Sequence, residues 1–138
     1  MEVVNLLDAN AEEVALLQKT GTDGPIYLVN LFKFREIADY GDKTYAEISG
    51  KEAYHKYASA IKELLPKFGG KVVFSGNVEG LWVGLVGELW DEITVVMYPS
   101  RDQVFAMGAT KEWQEASIHR AAGLEGQLNI ETTSSDLF

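Results

Sequence analysis

The sequence predicts an α+β domain built on one antiparallel sheet. Three observations predict it. Apolar runs rich in Ile, Val, Leu, Tyr and Phe alternate with amphipathic helical stretches, and glycine, proline and capping residues punctuate the two. The length, 138 residues, matches the roughly 150 of a single domain. A domain of this size buries roughly 68% of its unfolded surface, and 46% apolar residues can supply the core.

Asn10-Ala-Glu-Glu13 is a capping box ahead of Val14, Leu16 and Leu17, and it opens a short helix running to about Lys19. Gly21 to Pro25 breaks the chain, and Ile26 to Arg35 reads as a strand. Residues 36–49 are polar and form a loop longer than the usual connection, as a lid or an interface would need. From Gly50 to Leu65 the pattern is helical. Tyr54, Tyr57, Ala58, Ile61, Leu64, Leu65 and Phe68 fall on one face, and the other is polar. Pro66 and Gly69-Gly70 end this helix.

Lys71 to Val86 is extended but interrupted by Gly76, Gly80 and Gly84, which predicts a bent or bulged strand or a hairpin. Ile93 to Tyr98 is another strand. Ser100-Arg-Asp-Gln103 caps a helix running to Ala122, with Gly108 as a candidate break. Gly123 stops it, and Leu128 to Thr132 is the last strand. The order after the first helix is β-α-β-β-α-β, the ferredoxin-like split unit with both helices on one sheet face. The expected organisation is one domain over 1–138, with a helix and linker over 1–24, a core over 25–132 and a tail over 133–138. In strand 26–35 both alternating sets of side chains are largely apolar, so the uncovered sheet face needs a second cover. Self-association is its simplest source.

The charge is −9, from 12 basic and 21 acidic residues. Nucleic-acid binding requires clustered Lys and Arg, and docking on anionic membranes requires a basic surface, so neither partner is expected. Residues 70–138 carry 4 bases against 10 acids. Cysteine is absent, which excludes disulfides, thiolate metal sites and a cysteine nucleophile. The first residues have an acid where a signal peptide carries a base, and no apolar stretch approaches 18 residues. The expectation is a cytoplasmic protein.

Five blocks suggest a family: Gly24-Pro-Ile-Tyr-Leu-Val-Asn-Leu-Phe-Lys-Phe-Arg35, Ser49-Gly-Lys-Glu-Ala-Tyr54, Trp90-Asp-Glu-Ile93, Tyr98-Pro-Ser-Arg101 and His119-Arg-Ala-Ala-Gly-Leu124. In this order they resemble the domain-of-unknown-function-1330 family over roughly residues 24–132. The resemblance implies a dimeric α/β barrel, in which two ferredoxin-like sheets pack face to face. The family has no established reaction, so no substrate follows from it.

Chemistry falls to few residues. His119 is a candidate general base, because histidine titrates near neutrality; the competing reading is an imidazole favoured by a helix C-terminus. Arg120 shares a helical face with Trp113, Ala116 and Ser117, where it either snorkels, stacks or clamps a carboxylate. Arg101 stands at a helix start, where the dipole disfavours positive charge, so a specific acidic partner is expected. Asn30 interrupts an apolar strand, and its amide is either locked in the fold or aimed into a cavity. Trp82 and Trp90 flank the glycine-rich segment, with packing as their default role.

Glu52/His55 and Glu115/His119 each set a carboxylate and an imidazole on one helical turn, but a solvated face explains His55 better, and no metal is expected. Motifs for phosphate, dinucleotide or serine-nucleophile chemistry are absent, and no cofactor is expected. Two classes of function remain open. One is a metal-free enzyme acting in a pocket between sheet and helices, with His119 and Asn30 catalytic and Arg120, Arg101, Trp82 and Trp90 binding substrate. The other is a non-catalytic homodimer that binds a metabolite or scaffolds. A variant of the first comes from analogy of fold: haem-degrading monooxygenases use an Asn, a Trp and a His, to which Asn30, Trp82 or Trp90, and His119 are the nearest counterparts.

Overall fold

The computed structural model describes residues 3–21, 23–41 and 45–138. Its elements are helix α1 (Ala11–Thr20), strand β1 (Ile26–Phe34), helix α2 (Gly50–Leu64) extended by a 3-10 turn (Leu65–Phe68), strands β2 (Lys71–Asn77) and β3 (Glu92–Tyr98), helices α3 (Arg101–Gly108) and α4 (Lys111–Gly123), and strand β4 (Leu124–Thr132). The strands form one sheet in the order β2-β3-β1-β4, every pair antiparallel. This is the ferredoxin-like arrangement.

Asn10 and Ser100 each cap a helix as the sequence suggests, but neither closes the reciprocal pair of a capping box. Asn10 accepts from the backbone N–H groups of Glu12 and Glu13. Ser49 and Glu52 close a reciprocal capping box on α2, which satisfies donors that the first helical turn leaves free. The second helix of the fold is broken just after Gly108. Thr110 restarts it by accepting from Trp113 N–H at 3.1 Å, and the chain turns between α3 and α4. Helices α2 and α4 approach so closely at Gly50 and Gly123 that a Cβ on either would strike the backbone of the other. There Arg35 N–H donates to Gly123 O at 2.8 Å and Gly50 N–H to Arg35 O at 3.0 Å.

Side chains alternate across the sheet. Ile26, Leu28, Asn30 and Phe32 face the helices, where Ile26, Leu64, Leu65, Tyr98 and Met107 form the buried core cluster. Phe32 is only 2% exposed and packs against the tilted ring of Tyr54 at 4.8 Å between ring centroids. The opposite set, Tyr27, Val29 and Leu31, is matched in register by Met97, Val95 and Ile93 and by Thr132, Ile130 and Leu128. Among the described residues nothing covers that largely apolar face fully, and its side chains remain half-buried or exposed.

Two sequence expectations need correction. The extended run expected over Lys71 to Val86 stops at Asn77, after a bulge at Val73. Residues 78–91 leave the sheet and return, their base closed by Val78 N–H donating to Asp91 O at 2.8 Å. β3 begins only at Glu92, so an extended chain beyond Asn77 has no neighbour to pair with, and Gly84 turns it through a positive φ of 96°. The last strand begins at Leu124, four residues before the expected Leu128, because β1 is long enough to pair with it as far as Phe34.

Candidate functional site between sheet and helices

A cavity of about 520 Å³ lies between the sheet and the helices. Its floor is the inner face of three strands: Leu28, Asn30 and Phe32 from β1, Thr94, Val96 and Tyr98 from β3, and Gln127 and Asn129 from β4. Tyr54, Tyr57 and Ile61 reach it from α2 because they lie on one helical face. Trp113 and Arg120, seven residues apart on α4, share a face for the same reason. The segment Leu7–Ala9 crosses one side.

A polar relay runs through this cavity. Arg120 Nη2 donates to Leu7 O at 2.6 Å, and both Nε and Nη2 donate to Gln127 Oε1. Gln127 Nε2 donates to Asn30 Oδ1 at 3.0 Å, and Asn30 Nδ2 to Leu28 O at 3.2 Å. Asn30 and Gln127 are buried, so each amide needs these partners. No carboxylate among the described residues forms an ion pair with Arg120. Burial pushes the Tyr54 phenol well above its ordinary pKa, reinforced by Tyr57 and opposed by the Arg120 charge. Burial raises Tyr57 too, against Arg120 and the Trp113 indole N–H. Burial thus favours the neutral, protonated phenol at both positions.

Of the residues singled out from sequence, Asn30 and Arg120 meet in this cavity, and the others lie elsewhere. His119 faces the loop after β1: Tyr40 Oη and His119 Nδ1 are 2.7 Å apart, and the rings of Tyr40 and Tyr45 meet the imidazole edge-on. Burial, then Lys56, lowers its pKa. Arg101 is clamped by Glu131, with Nε–Oε1 and Nη2–Oε2 both at 2.6 Å. That fork, more than anything else, raises the guanidinium pKa, and Glu131 is the acidic partner expected from the sequence. Trp90 Nε1 donates to Asn5 Oδ1 at 3.1 Å. Trp82 stands fully exposed at 103% on the 78–91 excursion. Within one chain the Asn, Trp and His of the haem-degrading type are therefore not gathered at one site. His55 is exposed on the outer face of α2.

The reading from sequence missed Gln127, which lies before the strand as then drawn. A signal was present: Gln127, Asn129 and Glu131 alternate with Leu128 and Ile130, which is the pattern of a strand with one polar face.

The pattern of a family described as Domain of unknown function (DUF1330) matches residues 43–132. The chain belongs to the DUF1330 family. The match takes in four of the five resembling blocks and leaves out the first, Gly24–Arg35. The crystal structure of methylated RPA0582 protein is 30% identical, with 98% of each chain covered and a TM-score of 0.87. Another structure of RPA0582, a protein of unknown function from Rhodopseudomonas palustris, is 29% identical over 96% of this chain and 99% of that one, at a TM-score of 0.83. A dimeric ferredoxin-like protein of unknown function from Jannaschia sp. CCS1 shares the fold at 11% identity and a TM-score of 0.54, over 80% of this chain and all (100%) of the other. No curated protein matches the chain. Among the described residues, no helix is long and apolar enough to cross a membrane.

Proposed function

We propose that this DUF1330 chain binds a small molecule in the cavity between sheet and helices and works as a homodimer joined through the open sheet face. The cavity carries the reading. It has the volume of a ligand site, aromatic walls and a few convergent polar groups, the combination that holds small molecules. The dimer is supported by the apolar strip Val29, Leu31, Ile93, Val95, Leu128 and Ile130 on the outer face, and by the dimeric description of the Jannaschia protein. Binding is favoured over histidine-based acid–base catalysis because no histidine lines the cavity. Burial also moves its tyrosines away from neutrality, whereas a general base works best with a pKa near the operating pH.

Titration with the neutral fluorescent probe N-phenylnaphthylamine tests the cavity. We expect saturable binding that Thr94→Phe, which fills the floor, abolishes; absence of binding, or equal binding by the variant, overturns the reading. For the dimer, Val95→Asp on the outer face should convert dimers to monomers in sedimentation, and a monomeric native protein at tens of micromolar contradicts it.

A further inference from the structure

We propose that the cavity takes an organic carboxylate, its acid group pairing with Arg120 and its apolar body lying among Tyr54, Tyr57 and Trp113. The inference rests on the small-molecule reading of the cavity and adds the ligand's charge and class.

A guanidinium is cationic at every pH the folded protein meets, and one held inside a protein normally finds an anion. Arg101 does so with Glu131. Among the described residues Arg120 has only neutral oxygens, those of Leu7 and Gln127. These occupy Nε and Nη2, while Nη1 makes no hydrogen bond to a described residue. The relay sets that arrangement. Because Asn30 gives its N–H to Leu28 O, its oxygen faces Gln127, whose own oxygen is thereby turned to Arg120. The cation is held by two neutral groups and, among the described residues, neutralised by none.

The rest of the cavity narrows the class. The phenols of Tyr54 and Tyr57 line the same cavity, and an anion accepts from several hydroxyl and guanidinium donors at once. Among the described residues Arg120 is the single basic one of the lining, which suits one negative charge better than the two of a phosphate monoester. Asp8 also lines the cavity; its carboxylate forms no ion pair with Arg120, and it would repel a second negative charge.

Calorimetric titration of the native protein with phenylpropanoate, phenylpropanamide and phenylpropyl phosphate tests this. The acid should bind about tenfold or more tighter than the isosteric amide. Arg120→Gln should erase the difference by weakening the acid alone, and Arg120→Lys should restore part of it. Acid and amide binding equally well overturns the carboxylate class and leaves the cavity reading standing. Tightest binding of the phosphate overturns the single charge. No binding of any of the three overturns both the inference and the reading beneath it. The acid–amide comparison needs no variant, so it stands even if Arg120→Gln fails to fold.

Discussion

Strand β4 holds one arginine near each end, and the two are held in opposite ways. Glu131 meets Arg101 with two charge-assisted bonds at 2.6 Å, while Gln127, four residues earlier on the same strand face, meets Arg120 with an amide oxygen. At the first site the charge is closed within the chain. At the second it is held by neutral oxygens and paired with no described carboxylate, beside a cavity lined by tyrosines. The contrast separates an arginine tied to Glu131 from one that we propose receives a ligand, although both look alike in a sequence whose second half is mostly acidic.

The largest expected effect removes the floor beneath the cavity. Phe32→Ala deletes a 2% exposed ring and should cost about 3–5 kcal/mol of stability, read by urea denaturation. Next comes conversion of the open arginine into a closed one. Gln127→Glu gives Arg120 an internal counter-ion, and carboxylate affinity should fall about 100-fold, close to 2.7 kcal/mol, with the fold retained. The reciprocal change, Glu131→Gln, leaves Arg101 with a neutral partner. It should lower the thermal midpoint and leave ligand affinity unchanged; a drop in affinity would mean that the two sites are coupled.

The smallest effect lies at His119, outside both sites. Burial and Lys56 hold its pKa below the ordinary value near 6.5, so the unfolded chain takes the proton first. Stability should be intact above that ordinary value and decline as pH falls from it toward the lower folded one. Urea unfolding on either side of this range should show the decline in the native protein and a shallower one in His119→Gln.

Local chemistry was the legible part of the sequence. Capping boxes, glycine and proline stops and one helical face placed α2, β1 and the break after Gly108, because these depend on residues within a turn of each other. The unfavourable position of Arg101 at a helix start pointed to an acid, and Glu131 is that acid. From sequence, Asn30 is either a locked amide or a cavity group, and the structure makes it both: bonded at each end and part of the lining. Other features depend on what lies across the sheet. In β1 both faces are apolar, so alternation alone does not say which one meets the helices. Gln127 became visible only when the pairing of β4 with β1 set its register. The excursion over 78–91 carries apolar Leu81, Trp82, Val83 and Leu85, a composition that reads as strand, but there is no neighbouring backbone to pair with it.

The most direct test of an open, ligand-receptive Arg120 follows the three tryptophan indole N–H signals in a proton–nitrogen correlation spectrum during titration with phenylpropanoate. Trp113 lines the cavity, Trp90 is bonded to Asn5 and Trp82 stands in solvent. The predicted result is a saturable shift of the Trp113 signal with those of Trp82 and Trp90 unmoved. An unmoved Trp113 signal, or shifts confined to the other two, would contradict the account.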